Sequence, residues 1–167
     1  MKSTFRLAMV ALVLVLLAAV LFYSNGSQSS APSVQYTSIK GEQLQQDALR
    51  GKVVLVNFWY PTCPGCVTEM PKLVDTYKKY QARGYTTVAV AMNIDPPAYV
   101  AAFAEKFGLP FFVAFDADGS LAKRFGDVTL APTSFLIDKR GRIVQRYLGE
   151  PDMGKLHALI EEKLAES

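Results

Sequence analysis

Val54–Pro71 reads VLVNFWYPTCPGCVTEMP and joins the pattern of a buried strand to that of a helix. It begins inside Val53–Trp59, a continuous apolar run typical of a strand buried on both faces. From Cys63 to about Arg83 the apolar residues recur at helical spacing. Pro71 should kink that helix, because proline removes one backbone donor. A buried strand followed by a helix indicates an α/β protein.

The rest of the chain continues this alternation of strands and helices. We predict an edge strand at Val34–Thr37, buried strands at Thr86–Met92 and Phe111–Phe115, a hairpin of Ser134–Asp138 and Ile143–Tyr147, and helices at Tyr99–Phe107 and Met153–Ala165. The predicted fold class is therefore α/β, with a central sheet between flanking helices.

Length and composition limit the possible functions. The 167 residues suffice for one domain of ordinary size. The net charge is +3, and without Lys2 and Arg6 sixteen basic residues face fifteen acidic ones. These charges are scattered, so we expect no nucleic-acid partner. The chain has two cysteines, which excludes a small domain held together by several disulfides.

The N-terminus carries a run of seventeen uncharged residues, Leu7–Tyr23. As a helix it would be about 26 Å long, close to the thickness of a bilayer core. Lys2 and Arg6 precede the run, so the positive-inside rule places the N-terminus in the cytoplasm and the rest outside. We predict an anchor at 1–23, a flexible linker at 24–33 and a folded domain at 34–167. A cleaved signal peptide is the alternative, although the run is long and lacks a good cleavage site.

The two cysteines form the motif Cys63-Pro64-Gly65-Cys66 at the start of the predicted helix. Helix N-termini stabilise thiolates, so we expect Cys63 to be the nucleophile and Cys66, one turn inside, the resolving thiol. A purely structural disulfide closing so short a loop would add little stability. A zinc site lacks ligands, with only His157 left to contribute, and haem attachment would need histidine where Val67 stands. The motif therefore predicts redox activity.

Val54–Pro71 together with Ala131–Asp138 (APTSFLID) resembles the thioredoxin superfamily. More narrowly, the chain is similar to the TlpA/ResA-like branch of membrane-anchored, extracytoplasmic thiol-disulfide oxidoreductases. The resemblance implies a thioredoxin-like fold with a central mixed sheet. It also implies reduction of client disulfides, with electrons from a transmembrane thiol reductase. Clients in that family include apocytochrome c and copper-handling proteins of cytochrome oxidase assembly.

The resemblance also assigns roles to individual residues. It makes Cys63 and Cys66 the nucleophile and resolver. Pro132 corresponds to the cis-proline that faces the disulfide, and Ala131 to the residue whose backbone pairs with a client peptide. Thr62 stands where thioredoxin has tryptophan, which leaves Trp59 and Tyr60 as the nearby aromatic residues. Of these two, we predict that Trp59 takes part in client binding.

The sequence departs from thioredoxin at Asn57, where that protein has a buried aspartate. Another group must then assist Cys66, or none does. Asp95 falls near a carboxylate of the related branch, and we predict a catalytic role for it, with a turn before Pro96 as the alternative. Glu69 is a second candidate, for which a charge on the helix surface is the simpler interpretation.

These features predict a membrane-tethered disulfide reductase that needs neither a cofactor nor a metal. A dithiol oxidase using the same residues in reverse is one alternative. A copper(I) carrier is another, since two thiolates with Met70 or Met92 nearby could hold Cu(I).

Overall fold

A computed structural model describes residues 29–166 and the single residues Met9 and Val15. Apart from those two, the predicted anchor lies outside the described residues, as do residues 24–28 of the predicted linker. Among the helices of the described part, none has the length and apolar character needed to cross a membrane.

Residues 29–166 contain seven strands and four α-helices. In chain order they are β1 (Gln35–Thr37), β2 (Gln43–Gln45), β3 (Val53–Trp59), α1 (Pro64–Tyr80), β4 (Tyr85–Met92), α2 (Pro97–Lys106), β5 (Phe112–Asp116), α3 (Ser120–Arg124), β6 (Thr133–Ile137), β7 (Ile143–Leu148) and α4 (Met153–Ala165). Every strand and helix predicted within this range is confirmed. The sequence patterns did not predict β2 or α3, which are only three and five residues long.

Five strands form a mixed central sheet in the order β5-β4-β3-β6-β7. Strand β3 pairs parallel to β4 and antiparallel to β6, so it occupies the centre. The edge strand predicted at Val34–Thr37 is present as β1, but β1 does not belong to the central sheet. It pairs with β2, because a turn in which the Ser38 N–H donates to the Glu42 carbonyl folds the chain back on itself.

Side chains alternate across β3 and supply two hydrophobic cores. Leu55 and Trp59 pack on the face covered by α1, α2 and α4. Val56 and Phe58 pack on the opposite face, beneath α3 and the N-terminal segment. All seven residues of β3 are buried, as expected for a strand covered on both sides.

The segment just before β1 is bound to the domain. Ser30 forms an antiparallel bridge with Arg142. The Ala31 N–H donates to the Gly141 carbonyl at 2.9 Å, and the Ile143 N–H donates to the Ser29 carbonyl at 2.8 Å. The prediction of a linker that packs against nothing is therefore wrong for residues 29–31. Backbone pairing of this kind needs no apolar side chain, so composition could not reveal it.

Candidate active site

The cysteine pair lies where β3 passes into α1. Cys63 is the N-cap of α1, and its sulfur accepts a hydrogen bond from the Cys66 N–H at 3.2 Å. Pro64 occupies the first turn, where a missing N–H leaves no helical bond unmade. The two cysteines form a disulfide, with Cys63 4% exposed and Cys66 fully buried. The more exposed of the two cysteine residues is thus the predicted nucleophile.

The loop before β6 faces the disulfide. The Ala131–Pro132 peptide bond is cis, as the resemblance implied. The Ala131 carbonyl oxygen lies 3.5 Å from the Cys63 sulfur. Gly65 permits this approach, because a Cβ at that position would stand 3.3 Å from Cδ of Pro132. A client chain aligned with Ala131 would therefore have its sulfur next to Cys63.

A buried carboxyl group lies one helical turn beyond Cys66. Glu69 is 1% exposed, and its Oε2 accepts a hydrogen bond from Nδ2 of Asn57 at 3.4 Å. The same amide donates to Oγ of Ser134 at 2.9 Å. Burial raises the pKa of Glu69 to about 7, partly offset by the Asn57 hydrogen bond. The interpretation of Glu69 as a surface charge is therefore wrong.

The sequence carried a signal for the burial of Glu69. Glu69 follows the buried Cys66 by three positions and precedes the buried Met70, so helical geometry directs Glu69 toward the same face. Oε1 of Glu69 and Oδ1 of Asn57 are both buried without a hydrogen-bond partner among the described residues. A carboxyl with a pKa near 7 and a free oxygen can exchange a proton one helical turn from Cys66.

An ion pair on the surface adjoins this buried group. Nζ of Lys72, one turn after Glu69, pairs with the carboxylate of Glu150. The Glu150 charge raises the pKa of Glu69, and the Lys72 charge lowers it. The neighbouring Gly149 N–H donates to the Pro132 carbonyl at 2.8 Å. The loop that carries Glu150 is thus joined both to α1 and to the cis-proline.

Asp95 lies at the carboxyl end of β4 and contacts the loop before the cysteines. Its carboxylate accepts bonds from the Thr62 N–H at 2.9 Å and from the Thr62 hydroxyl at 2.9 Å. The hydrogen bonds of the described residues include none between Asp95 and either cysteine. The arrangement shows Asp95 fixing the residue before Cys63, and its catalytic role stays a prediction.

Trp59 is fully buried, and its indole packs against Phe103 with 4.9 Å between ring centroids. In this oxidised form the side chain offers no surface to a client, so its assignment to client binding stays a prediction. Of the two methionines suggested for copper, Met70 shares a core with the cysteines, whereas Met92 belongs to the core on the opposite face of the sheet. Met92 therefore does not adjoin the sulfur atoms.

A cysteine pair at a helix N-terminus, opposite a cis-proline on a mixed sheet, defines a protein that exchanges thiols and disulfides. Comparison with known proteins agrees. Residues 26–160 match the redoxin family. The thiol-disulfide oxidoreductase ResA of Geobacillus kaustophilus is 36% identical over 160 residues, which cover 89% of this chain and 91% of that protein. ResA of Bacillus thuringiensis subsp. konkukian is 33% identical over 132 residues, covering 79% and 75%.

A solved structure shows a similar fold. The solution structure of a candidate thioredoxin from Neisseria meningitidis superposes with a TM-score of 0.78 at 42% identity, covering 83% of this chain and 93% of that one. The chain belongs to the redoxin family and, within the thioredoxin superfamily, to the TlpA/ResA-like branch. It is a thiol-disulfide oxidoreductase with a thioredoxin-like fold.

Proposed function

We propose that this oxidoreductase reduces disulfides of client proteins outside the cytoplasm, in the maturation of cytochrome c or cytochrome oxidase. The observation that carries the exchange chemistry is the Cys63–Cys66 pair, with the buried Glu69 carboxyl one helical turn beyond Cys66. The reducing direction rests on the branch to which the chain belongs, because a proton acceptor assists exchange in either direction. The uncharged run Leu7–Tyr23, with Lys2 and Arg6 before it, supports an anchor with the domain on the outer side. The branch to which the chain belongs supports the choice of clients and a transmembrane reductase as electron donor.

The first step is attack by the Cys63 thiolate on a client disulfide. The Cys66 N–H and the N-terminus of α1 stabilise that thiolate. A new S–S bond forms between Cys63 and one client sulfur, while the client's own S–S bond breaks. The other client sulfur leaves as a thiolate and takes a proton from solvent.

The second step releases the client. Cys66 must lose its proton to attack the mixed disulfide, and its complete burial disfavours an isolated thiolate. Glu69 can accept that proton, because a pKa of about 7 leaves it ionised in part at neutral pH. The Cys63–Cys66 bond forms as the Cys63–client bond breaks. The client gains two electrons, the enzyme loses two, and a donor dithiol must restore the reduced pair.

Exposed apolar side chains on the loops and strand ends that lead to the cysteine site fit a protein client. Within residues 29–166 the exposed large hydrophobic side chains are Ile94, Tyr99, Leu130 and Leu148. Leu130 immediately precedes Ala131, and Leu148 pairs with Thr133, just after Pro132. Ile94 adjoins Asp95, which bonds to Thr62. We refer to these four residues as the apolar rim, and exposed groups of this kind favour contact with apolar client segments.

Trapping the mixed disulfide tests the exchange with clients. Cys66→Ser removes the thiol that resolves the intermediate, so full-chain protein should accumulate as a covalent complex with an oxidised client. The matched control is the double variant Cys63→Ser/Cys66→Ser, which should capture nothing. Capture by the double variant, or none by Cys66→Ser, would contradict the proposed roles of the two cysteines.

The in-cell redox state tests the direction of electron flow. For a reductase, acid-quenched alkylation of whole cells should find Cys63 and Cys66 mostly as thiols, and removal of the membrane donor should oxidise them. A pair that is oxidised whether or not the donor is present would favour the oxidase instead.

Protease treatment of spheroplasts tests the compartment. An outer domain should be digested, and the fragment that remains should stay with the membranes. Protection of the domain would contradict the proposed orientation, and a wholly soluble protein would contradict the anchor.

A further inference from the structure

Three neighbouring strands bring three segments to the end of the sheet that carries the cysteines. We call the end at which β3 leads to Cys63 the catalytic end, and the opposite end, where β3 begins and β6 turns into β7, the base. Strand β4 runs parallel to β3, and β6 runs antiparallel to it. The segment after β4 and the segment before β6 therefore both reach the catalytic end, one on each side of the cysteine loop. Neighbouring strands lie about 4.8 Å apart, so both segments are within reach of a chain bound at Cys63.

The β4–α2 loop, which runs from Asn93 to Pro96, is bonded to the segments on both of its sides. Nδ2 of Asn93 donates to the Ala117 carbonyl, just after β5, at 3.2 Å. The Asp95 carboxylate accepts hydrogen bonds from the Thr62 N–H and from the Thr62 hydroxyl, both at 2.9 Å. Pro96 follows at once, and its ring fixes φ there. The loop is thus held in place by groups other than its one large apolar side chain.

Ile94 is that side chain, and it is 58% exposed between the two bonded residues. It contributes little burial to the folded state, because apolar groups stabilise a fold by leaving water. Single exposed apolar residues are common on protein surfaces, so exposure alone assigns no role. What distinguishes Ile94 is that the next residue, Asp95, is bonded to Thr62, and Thr62 directly precedes Cys63. An isoleucine is thus held at a fixed place close to the reactive cysteine.

A side chain that is fixed before binding gives a stronger contact than a mobile one. Ordering a loop on association costs free energy, and a loop that is already bonded on both sides avoids that cost. Ile94 and Ala131 stand on opposite sides of the cysteine loop, because β4 and β6 flank β3. A client chain that aligns with Ala131 and places its sulfur at Cys63 therefore meets Ile94 with the residues next to its own cysteine.

We propose that Ile94 is a preformed contact for an apolar side chain next to the client's reactive cysteine, and that Asp95 is the positioning residue that holds it there through Thr62. The inference rests on the proposed function, because it needs a polypeptide client at Cys63. It makes the chain selective for disulfides that are flanked by apolar residues. It also gives Asp95 a task that depends on its hydrogen bonds and requires no proton transfer.

Small synthetic disulfides test this selectivity. The probes are two symmetric disulfide dimers of a short peptide, one with leucine on both sides of the cysteine and one with asparagine there. Symmetry makes the two sulfurs of a probe equivalent, so the rate does not depend on which one is attacked. Hydroxyethyl disulfide, which offers no side chain to Ile94, is the reference.

The reduced full chain is mixed with each probe, quenched with acid and alkylated, which gives a second-order rate constant. Each rate constant is divided by that of dithiothreitol with the same probe, which removes differences in intrinsic reactivity. We expect the leucine peptide to exceed the asparagine peptide by about fivefold on this scale, from burial of its apolar surface against Ile94.

Variants of the β4–α2 loop separate contact from positioning. Ile94→Ala should slow the leucine peptide by about fivefold and leave the other two probes unchanged. Asp95→Ala should slow it to a similar extent, because Ile94 is then no longer held. Asp95→Asn keeps an oxygen that accepts from Thr62 and should retain most of the rate. The double variant Ile94→Ala/Asp95→Ala should be no slower than Ile94→Ala alone, since both changes remove the same contact.

The matched control is Asp47→Ala at the base. Asp47 is also an exposed carboxylate, and it accepts a hydrogen bond from the Ser33 hydroxyl at 2.7 Å. Its loss should change none of the three rate constants. An effect as large as that of Asp95→Ala would overturn the positioning role.

The remaining outcomes distinguish this inference from the proposed function. Equal normalised rates for the two peptides would overturn the contact at Ile94 while exchange at Cys63 stands. Slower reaction of Asp95→Asn with hydroxyethyl disulfide, or additive effects in the double variant, would show that Asp95 acts on the sulfur chemistry itself. A wild-type chain that reduces hydroxyethyl disulfide but neither peptide would contradict the polypeptide client of the proposed function and, with it, this inference.

Discussion

Cys66 and Glu69 lie one helical turn apart on the buried side of α1, where neither side chain is in contact with bulk water. Within residues 29–166 the carboxyl of Glu69 accepts a hydrogen bond only from Asn57, which offsets the cost of its burial incompletely. Ionised Glu69 is therefore useful to the resolving thiol and unfavourable for the folded state. Ionisation of Glu69 should therefore affect both the free energy of unfolding and the rate of the resolving step.

Replacing Glu69 should change how stability depends on pH. Its pKa is about 7 in the folded protein, against 4.5 when exposed, so the folded state binds more protons between those values. Stability of the wild-type protein should fall as pH rises from 4.5 to 7, by roughly 3 kcal/mol from this group. Glu69→Gln should abolish that part of the fall, as measured by denaturant unfolding of the oxidised protein at pH 4.5 and 8.

The same variant should slow the attack of Cys66 on a mixed disulfide, because Gln cannot accept its proton. Asp75→Asn, an exposed carboxylate on the same helix, is the control for both measurements. If the two variants show the same pH dependence of unfolding, Glu69 is not the buried titrating group.

At the level of elements, α1 is tied to the β7–α4 region at two points. Lys72 pairs with Glu150, just beyond β7, and Thr76 contacts His157 on α4. The Thr76 hydroxyl donates to the Lys72 carbonyl at 2.8 Å, so it must accept from Nε2–H of His157 at 2.9 Å. The Lys72–Glu150 contact carries charges and the Thr76–His157 contact carries a titratable group, so each contact can be tested through its effect on a pKa or on stability.

The charges of Lys72 and Glu150 should shift the pKa of Glu69 in opposite directions. Glu150→Gln removes a negative charge and should lower the pKa of Glu69, whereas Lys72→Gln removes a positive charge and should raise it. Titration of the Glu69 side-chain carboxyl by carbon NMR measures both shifts directly. Lys78→Gln, on the same helix but exposed, should shift it little. Shifts of the same sign from the two variants would refute an electrostatic origin.

His157 should make the contact between α1 and α4 sensitive to acid. Burial, and then the charge of Lys79, lower the pKa of His157 below its usual 6.5. The unfolded state then binds more protons, so this contribution to stability is present above pH 6.5 and is lost as pH falls below it. Wild-type protein should lose more stability than His157→Gln between pH 6.5 and 5. The test compares the two proteins because Glu69 contributes to both and its effect on stability has the opposite pH dependence. An equal loss of stability in wild type and His157→Gln would refute the role of His157.

On the scale of the whole molecule, the sheet topology brings together segments that are far apart in the chain. The cysteine loop, the cis-proline and the apolar rim come from different strand ends, yet all meet at the catalytic end. A protein client that reaches Cys63 can therefore contact several of these segments at once.

Changing the apolar rim should weaken reaction with protein clients selectively. Leu148→Asp replaces an exposed leucine, and losing its burial in the complex should slow reaction with a protein disulfide by about tenfold. The rate with a small-molecule disulfide serves as the internal reference. Gln145→Asp, exposed on the same strand but nearer the base, is the control. A proportional loss with both substrates would show damage to the cysteine site instead.

The sequence by itself determined the order of strands and helices and the position of the cysteines at a helix start. Those features depend on residues close together in the chain, where periodicity and backbone chemistry act. Helical spacing from Cys66 indicates the face of α1 on which Glu69 lies, but the polar contacts of its carboxyl come from the tertiary structure. Its partner Asn57 lies twelve positions earlier, and the Asn57 contact to Ser134 spans 77 positions. The same holds for the docking of residues 29–31 at the β6–β7 turn, because backbone pairing between distant segments leaves no mark in composition. Desolvation and long-range pairing depend on which elements meet in space, and no local pattern encodes that.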